Sequence, residues 1–219
     1  MEDNRTPVKT EIKFKYFFKP ERKFDGPDYC DCCGRFVDAT YENGECFWIG
    51  WHEWNKENSC EERSKSYEYL HMIHPYSPKL GRDKDDYISL CAECIASGEA
   101  HKKYGVIFTP HADAVIEERT PSFYGLQQAQ WENHCGEPCR YIGSIMEIGV
   151  MFLKDPLFGG EISDRLAGKS LDEAIEIFCE DTGFEKEEME RTLVNSYSYR
   201  IHIFQCLKCG QFVAYDEYD

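Results

Sequence analysis

The chemistry this chain can do is announced by its cysteines. There are 12 in 219 residues. Eight fall in four close pairs: Cys30/Cys33, Cys91/Cys94, Cys135/Cys139 and Cys206/Cys209. Three pairs are spaced C-x-x-C and one C-x-x-x-C, both within the range of structural zinc knuckles. The reason is geometric. Two thiolates this close in sequence reach one ion at about 2.3 Å each, and the tight turn between them aims backbone N–H groups at the sulfurs. A glycine after the second cysteine accepts the left-handed conformation that such a turn uses, and Gly34 and Gly210 stand there in two of the pairs.

Four pairs predict two structural Zn2+ ions, each closed by four sulfurs. In sequence order, Cys30, Cys33, Cys91 and Cys94 form one site, and Cys135, Cys139, Cys206 and Cys209 the other. An interleaved cross-brace is the alternative pairing, and redox dithiols or iron–sulfur ligation are alternatives to zinc. His134 adjoins Cys135 and is the candidate to replace a cysteine as ligand; otherwise it hydrogen-bonds from the second shell of atoms around the metal. Closed sites are structural, whereas catalytic zinc keeps a coordination position open.

The stretch Tyr29–Phe36, YCDCCGRF, holds three cysteines. Setting Gly34 against Gly210 of Cys-Leu-Lys-Cys-Gly aligns Cys30 with Cys206 and Cys33 with Cys209. Cys32 then takes the place of Lys208 and is expected to point away from the ion. Cys46, Cys60 and Cys179 have no assigned partner; Cys179, beside Phe178 in an amphipathic pattern, reads as a small core residue. His71 and His74, with His52 or Cys60, make a weak candidate for a further metal site. No nucleophile elbow, phosphate loop or dinucleotide fingerprint is present.

The elements that must position these residues read as short strands and helices, an α+β chain of zinc-ribbon-like knuckles and hairpins. Ile12, Phe14 and Tyr16 alternate as a strand. Residues 38–87, with Trp48, Trp51 and Trp54, read as an insertion between metal half-sites, and the tryptophans as either a partner anchor or a local core. YISLCAECIASGEAHKKYG reads as a knuckle leading into a short helix. Residues 120–136 read as a helix ended by Gly136, with Gln127, Trp131 and Cys135 on one face. RYIGSIMEIGVMFL is apolar and buried.

Residues 161–195 form an acidic helical segment with two S/T-x-x-E capping boxes, Ser170/Glu173 and Thr182/Glu185. A hairpin closes the chain, with Tyr197, Tyr199, Ile201 and Ile203 alternating before CLKCG and QFVAY after it. One domain over 1–219 is expected.

The net charge of −16 and pI near 4.9 argue against nucleic-acid binding, which draws its affinity from neutralising phosphates. They suit a basic protein partner. Glu187, Glu188 and Glu190 are the candidate contacts in the acidic segment, beside Trp48, Trp51 and Trp54. No apolar run approaches a membrane span and no secretory leader is recognisable, so a cytoplasmic location is expected. Cysteines kept reduced there favour metal binding over disulfides.

With these motifs in view, YCDCCGRF, CAECIASGEAHKKYG, TPSFYGLQQAQWENHCGEPCRYIG and IFQCLKCGQFVAYDEYD together resemble, in order, the successive motifs of the CbrC family, bacterial cytosolic proteins named for colicin tolerance. The resemblance implies a compact zinc protein linked to survival of a bacteriocin, with no known reaction. Three departures stand out: the long 38–87 segment, CAEC where a proline and an aromatic are expected between the cysteines, and the acidic helices before the last strand. The function expected is therefore non-enzymatic protein–protein contact, immunity-like inhibition of a basic toxin. The alternative is a hydrolase-like enzyme with a site near Gln127, Gln128 and His134.

Overall fold

A computed structural model describes residues 7, 14–18, 28–37, 41–42, 48–49, 89–109, 112–123, 129–194 and 198–218. The chain divides into two compact units, Met1–Ile12 with Pro20–Phe123 and Lys13–Lys19 with Tyr124–Asp219.

In the first unit, β1 (Asp28–Tyr29) pairs antiparallel with β2 (Phe36–Val37) around the first knuckle. β3 (Tyr41–Glu42) pairs with β5 (Ser89–Leu90), and β4 (Trp48–Ile49) with β6 (Val106–Ile107). The described parts of 38–87 are thus hydrogen-bonded into this unit. Cys91 caps α1 (Ala92–Ala96), and Gly98, at φ 78°, turns the chain into α2 (Glu99–Tyr104). α3 (Ala114–Arg119) follows. Val37, Leu90, Ile95, Ala100, Val106, Ile107, Phe108 and Ile116 are buried.

The second unit is built on an antiparallel sheet ordered β11-β10-β9, where β9 is Arg140–Ser144, β10 Tyr199–Gln205 and β11 Phe212–Tyr218. The closing hairpin runs in register from Tyr199↔Tyr218 to Gln205↔Phe212. Ser144 ends β9 and caps α4 (Ile145–Lys154), with Glu147 completing a capping box. That box has the same S-x-x-E signature as Ser170/Glu173, although the sequence reading passed over it. α5 (Phe158–Ile162) and a 3₁₀ turn (Asp164–Leu166) lead to α6 (Leu171–Thr182) and α7 (Lys186–Val194). One sheet face packs Tyr199, Ile201, Ile203 and Phe212 against Ile145, Ile148, Phe152, Phe178 and Met189. Among the described residues, no helix is long and apolar enough to cross a membrane.

Several local expectations hold. The Ser170/Glu173 box forms, with the Glu173 N–H on Ser170 Oγ at 3.3 Å and the Ser170 N–H on Glu173 Oε2 at 2.8 Å. Met189 is buried and Leu193 packs on the same core, as their spacing on α7 requires.

Three expectations are corrected. Thr182 does not cap the second acidic helix. It ends α6, its hydroxyl donates to the Phe178 carbonyl at 2.7 Å, and Gly183 at φ 80° breaks the helix. α7 starts later, where Glu188 reaches back to the Glu185 N–H at 3.1 Å. The described ends of 120–136 are not helical either: Asn133–His134 is a strand and Cys135 has φ 53°, a left-handed turn residue. Finally, the start of the chain contributes at residues 14–18 only a parallel bridge, Phe17↔Tyr141. Phe14 and Tyr16 are buried with Lys15 exposed between them, so the alternation holds at these residues, but they lie in irregular backbone rather than a strand and Phe17 is buried as well. Ile12 and Tyr197 lie outside the described residues.

Candidate metal centres

Two knuckles share one backbone design. At the first, the Cys30 N–H donates to the Arg35 carbonyl at 2.9 Å and the Gly34 N–H to the Cys30 carbonyl at 2.7 Å. At the last, the Cys206 N–H donates to the Gln211 carbonyl and the Gly210 N–H to the Cys206 carbonyl, both at 2.9 Å. Gly34 and Gly210 have φ 72° and 76°, so each occupies the left-handed position that the glycine alignment assigned. Cys32 and Lys208 are then equivalent turn residues.

Cys30, Cys33, Cys91 and Cys94 come together with their sulfurs all within 4.8 Å of one another. Knuckle and helix are joined across a long sequence gap. The Asp31 N–H donates to the Ser89 carbonyl and the Ser89 N–H to Asp31 Oδ2, both at 2.8 Å. The Cys91 N–H points at Cys30 Sγ at 3.2 Å. Tyr104 and Lys103 donate to the Asp31 carbonyl, and Lys103 also to the Cys32 carbonyl. Cys32 itself is not one of the four, but it does not point away from them as the glycine alignment led one to expect: its thiol lies close enough to that of Cys94 for each to act on the other's ionisation.

The electrostatics are those of thiols waiting for a cation. The hydrogen bond with Cys91 and burial push the Cys30 thiol up to about 12. Burial and the nearby charge of Cys30 push Cys94 up as well. Burial acts the same way on Cys33, but the Arg35 hydrogen bond outweighs it and holds this thiol below its ordinary value. Arg35 Nε donates to Cys33 Sγ at 3.3 Å, and its Nη2 reaches Cys91 Sγ at 3.8 Å while pairing with Glu93. Four thiolates around a divalent ion carry a net negative charge, and Arg35 offsets part of it. The sequence reading did not single out Arg35; a basic residue directly after the knuckle glycine was the available signal.

The second cluster is His134, Cys135, Cys206 and Cys209, again within 4.8 Å of one another. β7 (Asn133–His134) and β8 (Glu137–Pro138) form a tight hairpin whose turn, Cys135–Gly136, is left-handed at both residues. His134 Nδ1 lies 3.3 Å from Cys135 Sγ and 3.4 Å from Cys209 Sγ. Lys208 clamps this hairpin, donating to the Cys135 carbonyl at 2.9 Å and pairing with Glu137 at 3.0 Å. The spacing put Cys139 in this set; the structure gathers His134 there instead. Cys139 has left the turn. Its N–H donates to the Glu132 carbonyl, its carbonyl accepts from Trp131 Nε1, both at 2.8 Å, and its side chain is fully buried.

Burial pushes the Cys139 thiol up to about 12, with Cys206 the foremost charge acting on it. The Cys209 hydrogen bond and burial push Cys135 up to about 11. Cys206 goes the other way, to about 6: burial opposes its ionisation, but the Cys209 N–H, His134 and the Lys208 N–H together outweigh it.

Both donor sets fit a tetrahedral ion. Zn–S near 2.3 Å places two sulfurs about 3.8 Å apart, and a nitrogen and a sulfur about 3.6 Å apart. The Cys33 and Cys91 sulfurs are 3.9 Å apart. The two clusters are thus able to coordinate a metal ion, and the sulfur-rich donors suit structural Zn2+. A divalent cation reverses the local preference for protonated thiols and draws off their protons.

The remaining candidates are scattered. Glu187 and Glu190 are exposed on α7 and Glu188 is half-buried. Trp48 stands in β4 opposite Ile107. Trp51, Trp54, Cys46, Cys60, His52, His71, His74, Gln127 and Gln128 lie outside the described residues. Cys179 packs on the second core, its thiol 3.8 Å from the Met189 sulfur.

Residues 49–218 match the model of an uncharacterised protein family, UPF0167. UPF0167 protein Mb2317 of Mycobacterium bovis and MT2352 of Mycobacterium tuberculosis are each 27% identical over 172 residues, covering 73% of this chain and 81% of the relative. UPF0167 protein PA1536 of Pseudomonas aeruginosa is 29% identical over 171 residues, covering 70% of this chain and 82% of the relative. No solved structure matches.

Proposed function

This chain belongs to the UPF0167 family, the CbrC family that its motifs resemble, and from that membership and its two metal clusters we propose a zinc-stabilised, non-enzymatic binding protein of the cytoplasm. Its ligands are Cys30, Cys33, Cys91 and Cys94 at one ion, and His134, Cys135, Cys206 and Cys209 at the other. The observation that carries the reading is the closure of both donor sets. Each offers four protein atoms to a tetrahedral ion, so no position is left for the water or substrate that catalytic zinc binds. His134, which the enzymatic alternative needed as a free polar group, belongs to one of these sets.

The partner is a basic protein, a bacteriocin or toxin, met through the acidic helices. Asp172, Glu176, Glu180, Glu187 and Glu190 are exposed on α6 and α7, and Lys186 is already paired with Asp172 and Glu176. Like-signed side chains on adjoining helices steer an oppositely charged protein and suppress wrong partners.

The test is a survival assay. Cells carrying the gene are challenged with bacteriocins and with the products of neighbouring toxin genes, alongside cells carrying Glu187→Lys, Glu188→Lys and Glu190→Lys together. Wild type is expected to protect, and the triple variant to lose protection while keeping both zinc ions. Equal survival with and without the gene refutes the reading.

A further inference from the structure

The helices of the second unit leave large apolar side chains in solvent. Val150, Leu153 and Leu157 are 41%, 82% and 72% exposed, and Val194 is 87% exposed. Val150 and Leu153 sit one turn apart on α4, and Leu157 stands in the turn between α4 and α5, at the same end of α4 as Leu153. The adjoining face of α4, with Ile145, Ile148 and Phe152, is already buried in the core. A single exposed leucine is ordinary, but several such side chains gathered along one helix mark a contact surface.

This apolar stripe borders α7. Gly149, next to Val150, lies against Leu193 of α7: a Cβ added to the glycine would come within 2.6 Å of Leu193 Cδ2. Val194 follows Leu193 at the exposed end of α7. Glu187, Glu190 and Val194 fall at i, i+3 and i+7, on one side of that helix, and both glutamates are exposed. The neighbouring bases do not neutralise them. Lys186 pairs with Asp172 and Glu176, Arg191 lies over the Tyr199 ring, and Lys154 ends α4 directly before Asp155. From Ile145 to Val194, thirteen acidic side chains stand against five basic ones, so this run of helices holds −8 of the chain's −16.

An apolar stripe rimmed by acid fits an amphipathic helix that carries leucine-like side chains on one face and Lys or Arg on its flanks. A second copy of this chain fits badly, because it would bring two acidic surfaces together, each copy carrying a net charge of −16. We propose that the α4–α7 face is the docking surface for the basic partner, and that the partner presents to it a cationic amphipathic helix. This rests on the reading of the protein as a binder of a basic protein, and adds where that partner sits and what it presents. Leu153 and Leu157 are the anchors, since they bring the most apolar surface out of water on docking. Glu187 and Glu190 attract and orient the cationic flank.

The experiment uses the full chain with both zinc ions bound and a fluorescent peptide of leucine and lysine patterned as an amphipathic helix. Its control has the same residues shuffled so that no apolar face forms. Wild type is expected to bind the patterned peptide at least about tenfold more tightly than the shuffled one, the gain from burying two leucines. Leu153→Ser combined with Leu157→Ser is expected to bind both peptides alike while keeping its zinc content and urea-unfolding midpoint. Equal binding of the two peptides by wild type overturns the proposal, as does a double variant that still prefers the patterned one. A wild type that sediments as a dimer beside a monomeric double variant also overturns it, because the stripe then serves a second copy. The survival assay separates this surface from the reading beneath it. If the gene protects and the double variant protects equally, the surface is wrong while the toxin reading stands. If the peptide preference holds and the gene protects against nothing, the toxin reading fails and the surface stands.

Discussion

His134→Gln and Cys139→Ser make the sharpest test of the second metal centre, because spacing and geometry name different ligands there. The spacing points to Cys139, while the structure places His134 Nδ1 at 3.3 and 3.4 Å from two cluster sulfurs. A structural zinc contributes about 10–16 kcal/mol over four donors, or about 3 kcal/mol for each. Removing one true donor therefore costs at least about a hundredfold in zinc affinity. His134→Gln is expected to show that loss at one of two ions. Cys139→Ser keeps both ions and loses only about 1–2 kcal/mol of stability, from placing a hydroxyl where a buried thiol packed. Native mass spectrometry counts the ions, and competition with a chromophoric chelator gives the affinities. If Cys139→Ser drops to one zinc while His134→Gln holds two, the donor set drawn from the structure is wrong and the sequence spacing was the better guide.

The first knuckle and the tightest helix contact give two further tests. Cys32→Ser keeps both zinc ions while Cys33→Ser loses one, because Cys32 holds the turn position that Lys208 fills in the matching knuckle; the metal count reads both, and the reverse outcome displaces the frame. Gly159→Ala, inside α5, sets a methyl group against the Leu166 carbonyl, a backbone atom that cannot swing aside. A loss of about 2–3 kcal/mol in urea unfolding is expected, and a neutral result would show that α5 and the following 3₁₀ turn shift apart freely.

What the sequence determined by itself is whatever a few adjacent residues decide. A C-x-x-C-G turn is a local object: its two backbone hydrogen bonds and left-handed glycine follow from five residues, so the backbone frame shared by the two knuckles was legible before any fold was known. The Ser170/Glu173 box and the alternation of Tyr199, Ile201 and Ile203 are local in the same sense. Tertiary structure decided what depends on which segments meet. Sequence order alone suggested that the first knuckle joins Cys91 and Cys94, with a cross-brace left open, but what holds the two together is the Asp31–Ser89 clasp, and no short window contains both ends. The placing of His134 rather than Cys139 among the four grouped donor atoms depends on a hairpin only two residues wide on each side, with a left-handed Cys135 in its turn. Thr182 carried a valid capping signature and lost it to Gly183, which ended one helix before the next began. The buried contacts of His202 with Glu217 and Tyr141 likewise join three strands, and the physical reason is packing: only a folded interior brings side chains so far apart in sequence into hydrogen-bond reach.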